Sequence, residues 1–330
     1  MRDSPIDSPE IWDEPLPATA DGSLVRVLRD VRRGLLREAR IAAGLAAARE
    51  RTSARQFAVA VAAFVAGTAG VALAVRHAWW LVPLGIALQM IGLAGFVSLN
   101  HEAWHGRALP WRGWNDLALE WFLAPILFLD GRTYAEIHRV HHRAPGELDD
   151  VSRPLWSLSG AQLRALLLKR ALIVPAAIDV VRRLTGLAAR GAPVGGVGAA
   201  PPVTRNLPRI LLAQALWAGP LLASSVAAFV CGYVLPLVLG SICSILREYR
   251  EHTRQADGRL AVHDTLCSRA ERLIIAGGHF NLHALHHIFP EVPQGELPAF
   301  YRTIATTVDV DRALYGVSPL VSARRTYLAA

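Results

Sequence analysis

The chain has 330 residues, of which 52% are hydrophobic and only 19% charged, and its mean hydropathy is +0.29. Ordinary soluble domains carry about a quarter charged residues, so this composition argues against a soluble protein, excludes a globally disordered one and favours a membrane protein. The net charge of +8 comes almost entirely from arginine, but no basic helix interleaved with aromatic residues predicts nucleic-acid binding, and three cysteines without a C-x-x-C pair exclude a disulfide scaffold and a thiolate zinc site.

The first 56 residues precede the first long apolar run. Residues 1–22 are polar and acidic, which predicts a disordered tail and argues against a signal or transit peptide. Residues 23–56 combine helical periodicity with many arginines and predict a basic amphipathic lead-in helix of the kind that lies at a membrane surface. The membrane domain is then predicted to occupy residues 57–330.

Two apolar regions, each long enough for two spans, predict four transmembrane helices. Residues 57–75 and 79–98 are joined by only three residues, so they form an antiparallel hairpin. Residues 210–246 contain no charge and would make a helix of about 55 Å at 1.5 Å per residue, nearly twice the bilayer core. They predict spans at 210–227 and 229–246, with a turn somewhere between Ala227 and Gly232.

The predicted fold class is therefore all-α integral membrane, with two transmembrane hairpins and a cytoplasmic helical cap. The cap comprises residues 99–209 and 247–330. Only Arg76 among the basic residues falls on the far side, and the positive-inside rule makes the opposite face cytoplasmic. A composition rich in Ala, Arg and Gly, with Lys169 as the only lysine, is typical of a GC-rich bacterium and predicts the inner (plasma) membrane.

Shorter apolar runs in the predicted cap do not add spans. Leu117–Leu129 contains Glu120 and Pro125 and is too short to cross, so it predicts an interfacial or re-entrant segment. Glu120 and Asp130 are expected to reach water on the cytoplasmic side. Residues 160–188 predict a surface amphipathic helix pair, and residues 191–202 predict a loop.

Eight of the 12 histidines form three clusters beside the predicted spans. They occur as H-x3-H at 101–105 and as H-x2-H-H at 138–142 and 283–287, and a ninth, His252, follows the fourth span. Spacings of three and four residues place side chains on one helix face. Nine imidazoles exceed the ligands of one zinc and predict a two-metal site; near-octahedral nitrogen ligation suits iron, although zinc, copper and nickel also accept imidazole.

At these clusters the chain resembles the integral-membrane fatty acid desaturase/hydroxylase superfamily, which includes alkane hydroxylases and carotenoid ketolases and hydroxylases. The resemblance covers about residues 57–305 and is closest at NHEAWHGR (100–107), HRVHHRAPGELDD (138–150) and HFNLHALHHIFPEVPQGELP (279–298). It implies two non-haem Fe ions on the cytoplasmic side, with O₂ as co-substrate. The implied metal ligands are His101, His105, His138, His141, His142, His252, His283, His286 and His287.

The chain departs from the family pattern at two positions. Leu285 stands where many members have Glu, which leaves the subfamily open, and Glu248 stands where some relatives have an amide residue, which leaves any tenth ligand open. Acceptors for the outer N–H groups of ligand imidazoles are expected nearby. The possible outer residues are Glu251, Asp150 and His279, followed by Glu102, Glu136 and Asp149. His77, in the far-side turn, is expected to be unrelated to the metals, and His263 to be solvated.

The resemblance implies an O₂-dependent oxidoreductase that introduces a double bond into a fatty acyl chain carried by a lipid, CoA or an acyl-carrier protein. Hydroxylation of an acyl, alkane or isoprenoid chain is the alternative, because the same histidines serve both reactions. A histidine-rich metal transporter is a distant alternative. Transporters place their ligands within the spans, whereas the histidine clusters of this chain lie at or beyond the ends of the predicted spans. Desaturation supplies two of the four electrons that reduce O₂, so an external carrier such as ferredoxin with its reductase is an expected partner.

Overall fold

The described part of the chain is built mainly from α-helices and includes one small β-sheet. The computed structural model describes residues 24–143, 145, 156, 158–172, 206–255 and 259–326. Some predictions concern residues outside these ranges, namely the tail at 1–22, Asp149, Asp150, the loop at 191–202 and the second half of the helix pair at 160–188.

The helices and strands are numbered here in chain order. The helices are α1 (Leu24–Leu35), α2 (Ala39–Arg49), α3 (Ala54–His77), α4 (Val82–Trp104), α5 (Arg112–Ala118), α6 (Ala124–Ile126), α7 (Gly131–Arg143), α8 (Gly160–Ala171), α9 (Leu207–Ser224), α10 (Val226–Glu251), α11 (Arg269–Ile274), α12 (His283–Ile288) and α13 (Leu297–Ala305). The strands are β1 (His252–Arg254), β2 (Leu260–Thr265) and β3 (Val321–Arg324). Shorter turns are a 3₁₀ turn at Trp79–Leu81 and π-helical turns at Leu119–Leu123, Val230–Val234 and Asp311–Tyr315.

Three of these helices are long and apolar enough to cross a membrane: α3, α4 with its preceding turn, and α10. The first two form the antiparallel hairpin that the apolar runs predict. At 1.5 Å per residue, the 24 residues of α3 extend about 36 Å, which is sufficient for a bilayer core of about 30 Å. The exposed Trp79 and Trp80 lie at the turn, where aromatic side chains suit a membrane–water interface.

The hairpin is tightly packed because small residues lie where the two helices cross. A Cβ atom added to Gly92 would lie 2.8 Å from the Cα atom of Phe64, and one added to Gly95 would lie 2.6 Å from the Cβ atom of Ala60. Close approach through glycine and alanine is typical of membrane helices, in which van der Waals contact replaces the hydrophobic effect as a source of stability.

We expect Gly92→Ala to destabilise the hairpin by about 1–3 kcal/mol, because the added methyl group must push the backbone of Phe64 away. Gly70→Ala is the matched control in the same hairpin, since its new Cβ atom would meet only the Cα atom of Gly85, at 3.9 Å. Thermal unfolding of the two purified variants in detergent measures the difference. Equal melting temperatures would contradict the close packing.

The second apolar stretch forms two helices, but the break lies earlier than predicted. Helix α9 ends at Ser224, and Ser225 is extended (φ −173°) and accepts a hydrogen bond from the backbone N–H of Ala228, so it caps α10. The predicted turn between 227 and 232 is therefore wrong. The chain stays helical there because a π-helical turn accommodates Gly232, whose carbonyl accepts hydrogen bonds from Gln89 Nε2 (2.7 Å) and Trp217 Nε1 (3.1 Å).

Helix α9 corresponds to the third predicted span but is not among the three candidate spanning helices. It nevertheless packs against the hairpin over its second half and against the segment at 119–126 near its start. Near its start, Arg209 forms a 2.6 Å ion pair with Glu120, and its last carbonyl, that of Ser224, accepts a 2.7 Å hydrogen bond from Arg76 at the end of α3. Between these contacts Trp217 packs edge-on against Phe64.

The segment at 117–129 is helical up to Ile126, and the acidic residues in and after it are buried. Glu120 forms ion pairs with Arg132 and Arg209, while Asp130 accepts a 2.8 Å hydrogen bond from the backbone N–H of Thr133 and so caps α7. The expectation that both carboxylates reach water is therefore wrong. Paired arginines and a helix N-terminus replace water as their partners.

The basic lead-in region consists of two helices rather than one, with a break at residues 36–38. Their apolar face, including Leu28, Val31 and Ile41, is buried against protein, in one core with α12 and α13. The amphipathic pattern predicts a helix whose apolar face is covered by the membrane surface, but in the structure protein covers this face instead of lipid. The exposed faces carry arginines.

Two ion pairs tie the lead-in helices to the segment after the third histidine cluster. Glu291 contacts Arg32 (2.5 Å) and Arg49 (2.6 Å). Burial alone would raise the pKa of Glu291, but the charge and hydrogen bonds of Arg32 and the hydrogen bond of Arg49 outweigh it and lower the pKa. Glu291 therefore stays charged and holds both helices.

The three-stranded sheet departs from the all-α prediction. Strand β1 pairs antiparallel with β2, and β2 pairs parallel with β3, in the order β1-β2-β3. Its strands have only three to six residues, too short to show an alternating pattern in the sequence. The sheet begins where α10 ends, and its first residue is His252.

Candidate metal centre

Four elements bring the histidine clusters to one end of the helical bundle. His101 lies in the last turn of α4 and His105 directly after it, and Gly106 (φ +72°) ends the helix. Helix α7 carries the second cluster and α12 the third, while His252 opens β1. The H-x3-H and H-x2-H-H spacings therefore fall in helices or at a helix end, as the sequence predicts.

The nine histidines form two groups in which one nitrogen of each ring lies within 4.8 Å of those of the others. The first group comprises His101, His105, His138, His142 and His286, and the second comprises His141, His252, His283 and His287. Seven of these side chains are at most 4% exposed, His138 is 9% exposed, and His105 is partly buried. All the ligands that the family resemblance implies thus lie together, and none of the remaining three histidines joins them among the described residues.

Each H-H pair contributes one residue to each group. His141 and His287 belong to the four-histidine group, whereas their neighbours His142 and His286 belong to the five-histidine group. Consecutive residues on an α-helix point about 100° apart, because 3.6 residues complete a turn. The two groups therefore lie side by side, and the rings of His142 and His287 stack with centroids 4.5 Å apart.

The ring nitrogens are too crowded for hydrogen bonding alone. The Nε2 atom of His287 lies 3.1 Å from that of His283, 3.2 Å from that of His141 and 3.4 Å from that of His252. A neutral imidazole nitrogen either donates one proton or accepts one, so these three contacts cannot all be hydrogen bonds. Nitrogens bound to one metal at about 2 Å lie about 3 Å apart, which is the spacing seen here. The residues therefore fit a metal in each group.

Burial keeps these imidazoles in the form that binds metals. It lowers the pKa of His105 to about 3, with the charge of Arg107 acting in the same direction. Burial, reinforced by neighbouring histidines, also lowers the pKa well below its usual value for His138, His142, His252, His283, His286 and His287. These rings are neutral at physiological pH, and neutral imidazole is the metal ligand.

Side chains from β2 and α1 hold the backbone of the short helix α12 at Leu285 and at its last residue, Ile288. Asp264 on β2 accepts a 3.2 Å hydrogen bond from the backbone N–H of Leu285 and a 2.8 Å one from Tyr315, and Arg32 donates a 2.9 Å hydrogen bond to the carbonyl of Ile288. Burial raises the pKa of Asp264 to about 6 against the effect of these hydrogen bonds. Leu285, where many relatives have Glu, is fully buried in the apolar core.

The predicted outer residues are placed unequally. Glu251 is buried, with one carboxylate oxygen 3.9 Å from His283 Nδ1 and the other 3.4 Å from Arg247 Nε. Glu102 is also buried, but it accepts hydrogen bonds from Ser53 and from the backbone N–H of Gln294 rather than from an imidazole. Glu136 is exposed on α7. Of these three carboxylates, Glu251 is the one that forms an ion-pair contact with a ligand ring.

The remaining histidines lie apart from the two groups. His279 is partly exposed, and burial and the charges of Arg272 and Arg302 lower its pKa. His77 is exposed at the opposite end of α3. His263 was expected to be solvated, and this is wrong: it is 2% exposed in the core of the sheet.

Two strands surround His263 with polar partners. Its Nδ1 atom lies 2.7 Å from the Ser322 hydroxyl and its Nε2 atom 2.6 Å from that of Thr253. Burial, together with the charges of Arg324 and Arg250, lowers its pKa to about 3. A polar sequence context suggested exposure, but strand pairing on both sides of β2 decides burial.

Two residues at the site are absent from the sequence-based predictions. Trp156 is buried and stacks on the ring of His252, with centroids 4.7 Å apart. Gln294, in the turn after the third cluster, places its side-chain nitrogen 3.3 Å from His101 Nδ1. Neither residue has a distinguishing spacing, because its partner is 96 or 193 residues away along the chain.

Comparison with protein families points to the same residues as the geometry of the site. A comparison with curated proteins finds no match. The sequence model of a family described as fatty acid desaturase matches residues 77–318, which includes all nine grouped histidines and most of the chain. The chain therefore belongs to the fatty acid desaturase family.

Proposed function

We propose that the protein is a membrane di-iron oxidoreductase that uses O₂ to introduce a double bond into a fatty acyl chain. The observation that carries this proposal is the convergence of nine imidazoles in two adjacent, buried groups. Family membership implies an oxidoreductase, and iron is the metal that the family resemblance implies for such ligands.

Each group would hold one iron. The five-histidine group contains both histidines of the first cluster, and the four-histidine group contains His252. When bound and reduced, the two irons supply, with O₂, the oxidising power to remove hydrogen from an unactivated C–H bond. The chain itself supplies neutral ligands and keeps water away: Phe280 packs against His101 (4.6 Å between centroids) and stacks on His283 (4.9 Å), and Trp156 covers His252.

The electron balance calls for a protein partner. Reduction of O₂ to two waters consumes four electrons, of which desaturation supplies two, so an external carrier supplies the other two. Exposed arginines of the lead-in region, such as Arg37 and Arg40, present positive charge on the region whose apolar face packs against α12, and they support an acidic carrier such as a ferredoxin. The substrate would be an acyl chain on a lipid, CoA or an acyl-carrier protein.

The proposed topology has four spans with the histidines on the cytoplasmic side. The contacts at the two ends of α9 support a fourth span, because they place its start beside Glu120 in the π-helical turn at Leu119–Leu123 and its end beside the far end of α3. An aromatic face formed by Trp111, Trp114 and Trp121 is exposed on the segment at 111–123. Such a face suits a segment that lies in the membrane interface rather than across it.

Cysteine labelling tests this topology. In a variant with the three native cysteines replaced by alanine, we expect His77→Cys to react with a membrane-impermeant maleimide in intact cells and Glu136→Cys to react only after lysis, because a single span, α4, separates them. Both positions are exposed on the protein surface. Labelling of both from the same side would show that α4 does not cross the membrane.

Metal and product analysis tests the activity. We expect purified protein to contain about two irons per chain, by the ligand count. Membranes expressing it with a reductase chain should yield an acyl product that has lost two hydrogens, detected by mass spectrometry against a His141→Ala control. A product with an added oxygen atom would identify the hydroxylase alternative. One zinc per chain, retained with activity, would contradict the di-iron proposal.

A further inference from the structure

Gln294 occupies a fully buried position between the first and third histidine clusters. It is 1% exposed and lies in the turn between α12 and α13. Its backbone N–H donates a 3.0 Å hydrogen bond to the carboxylate of Glu102. Its side-chain Oε1 atom accepts a hydrogen bond from Ser98 Oγ, and its Nε2 atom lies 3.3 Å from His101 Nδ1. The three residues it contacts are neighbours on one face of α4, at spacings of three and four.

The partners of Gln294 are themselves held in place. Gln56 donates hydrogen bonds to Ser98 Oγ (3.0 Å) and to the carbonyl of Gly277 (2.6 Å), and Ser53 donates a 2.9 Å hydrogen bond to Glu102. The side chain of Gln294 therefore has little freedom to move away from His101. A rigid contact of this kind is what orients a metal ligand.

The chemistry of His101 defines what its outer nitrogen requires. Its Nε2 atom is buried, forms no hydrogen bond within the described part of the chain, and lies in the five-histidine group. If Nε2 binds a metal, the proton of the neutral ring is on Nδ1, which must then donate a hydrogen bond. A terminal amide can turn by 180° in place, so the side chain of Gln294 can present its oxygen to Nδ1 and its nitrogen to Ser98 Oγ.

We propose that Gln294 is a positioning residue that accepts the Nδ1–H of His101 and so fixes this ring for metal binding. The proposal rests on the proposed metal-binding function. Other grouped histidines lack this arrangement: within the described ranges, no hydrogen bond reaches the Nδ1 atoms of His142, His283, His286 and His287. The adjacent Glu102 does not take this role, because its carboxylate accepts hydrogen bonds from Ser53 and the backbone of Gln294.

If Gln294 had only a structural role, its replacement would lower the melting temperature but not the iron affinity. Iron affinity therefore distinguishes a positioning role from a structural one. We expect Gln294→Leu, which keeps the size but removes the acceptor, to bind iron about 10- to 100-fold more weakly in competition with a ferrous chelator. Gln294→Glu keeps an acceptor at the same place and should retain iron as the parent protein does. The matched control is Gln56→Leu, which breaks the same network at Ser98 and Gly277 rather than at His101 and should lower only the melting temperature.

The outcomes are distinguishable. Gln294→Leu with the iron affinity of the parent protein, or Gln56→Leu with an equally large loss of affinity, would overturn the proposal. Should Gln294→Leu fail to fold, Ser98→Ala replaces it, because it removes the group that orients the amide; weaker iron binding supports the proposal and unchanged binding overturns it. A parent protein that binds no iron would overturn the proposed function as well, whereas iron-loaded parent and Gln294→Leu proteins of equal affinity overturn this inference alone.

Discussion

His287→Ala should abolish product formation, with a loss of more than about 100-fold, because even residues that only support a ligand cost 10- to 100-fold. The Nε2 atom of His287 lies within 3.4 Å of the ring nitrogens of the three other histidines of the four-histidine group. Its removal leaves three imidazoles and a void. Product per amount of protein in membranes, and iron per chain in purified protein, measure the effect.

His77→Ala is the control for this substitution. His77 is exposed at the end of α3 opposite to the histidine groups, so its loss should leave both product and iron unchanged. We expect His105→Ala, His142→Ala and His286→Ala to resemble His287→Ala, because the members of a group are interdependent. An essential His77 with dispensable His105 and His286 would contradict a shared site at one end of the bundle.

Gly277→Ala should prevent accumulation of folded protein. Gly277 adopts a left-handed conformation (φ +61°), and an added Cβ atom would lie 2.1 Å from the carbonyl oxygen of Ala94 and 2.8 Å from the Cβ atom of Ser98. The left-handed conformation alone costs an alanine about 1–2 kcal/mol. The clash is with the backbone of α4, which cannot rotate away as a side chain can, so we expect a total cost on the order of 3 kcal/mol or more.

Gly113→Ala is the matched control for Gly277→Ala. Gly113 is exposed in α5, no atom lies within 4 Å of a Cβ added there, and alanine favours a helix by about 0.5–1 kcal/mol relative to glycine. Its melting temperature should therefore equal or slightly exceed that of the parent protein. Size-exclusion chromatography and thermal unfolding in detergent compare the variants, and similar behaviour of both would mean that the segment before the third cluster does not pack against α4.

Hydrogen bonds of Gln56 join α4 to the segment that precedes the third cluster. The carbonyl of Gly277 accepts a hydrogen bond from Gln56, which also donates to Ser98 on α4. Ser98 is in turn a partner of Gln294. A displacement at Gly277 should therefore be transmitted to α4 at Ala94 and Ser98, the positions that an added Cβ atom would meet, and lower the stability of the fold.

Local patterns in the sequence are sufficient for several features of the protein. The apolar runs at 57–75 and 79–98 predict the hairpin of α3 and α4, because length and hydropathy alone decide whether a helix can span a bilayer. The H-x3-H and H-x2-H-H spacings predict imidazoles on one helix face, since helical geometry relates residues three and four apart. The ligand count predicts two metals rather than one.

Long-range contacts account for the features that no local pattern reveals. The allocation of His141 and His142 to different groups depends on how α7 faces α12, more than 140 residues away. Burial of His263 depends on strands that pair on both sides of it, and the cover of the lead-in helices comes from α12 and α13. The contact between Gln294 and His101 is of the same kind: a periodicity describes one element at a time, whereas these positions result from the packing of elements that are distant in the chain.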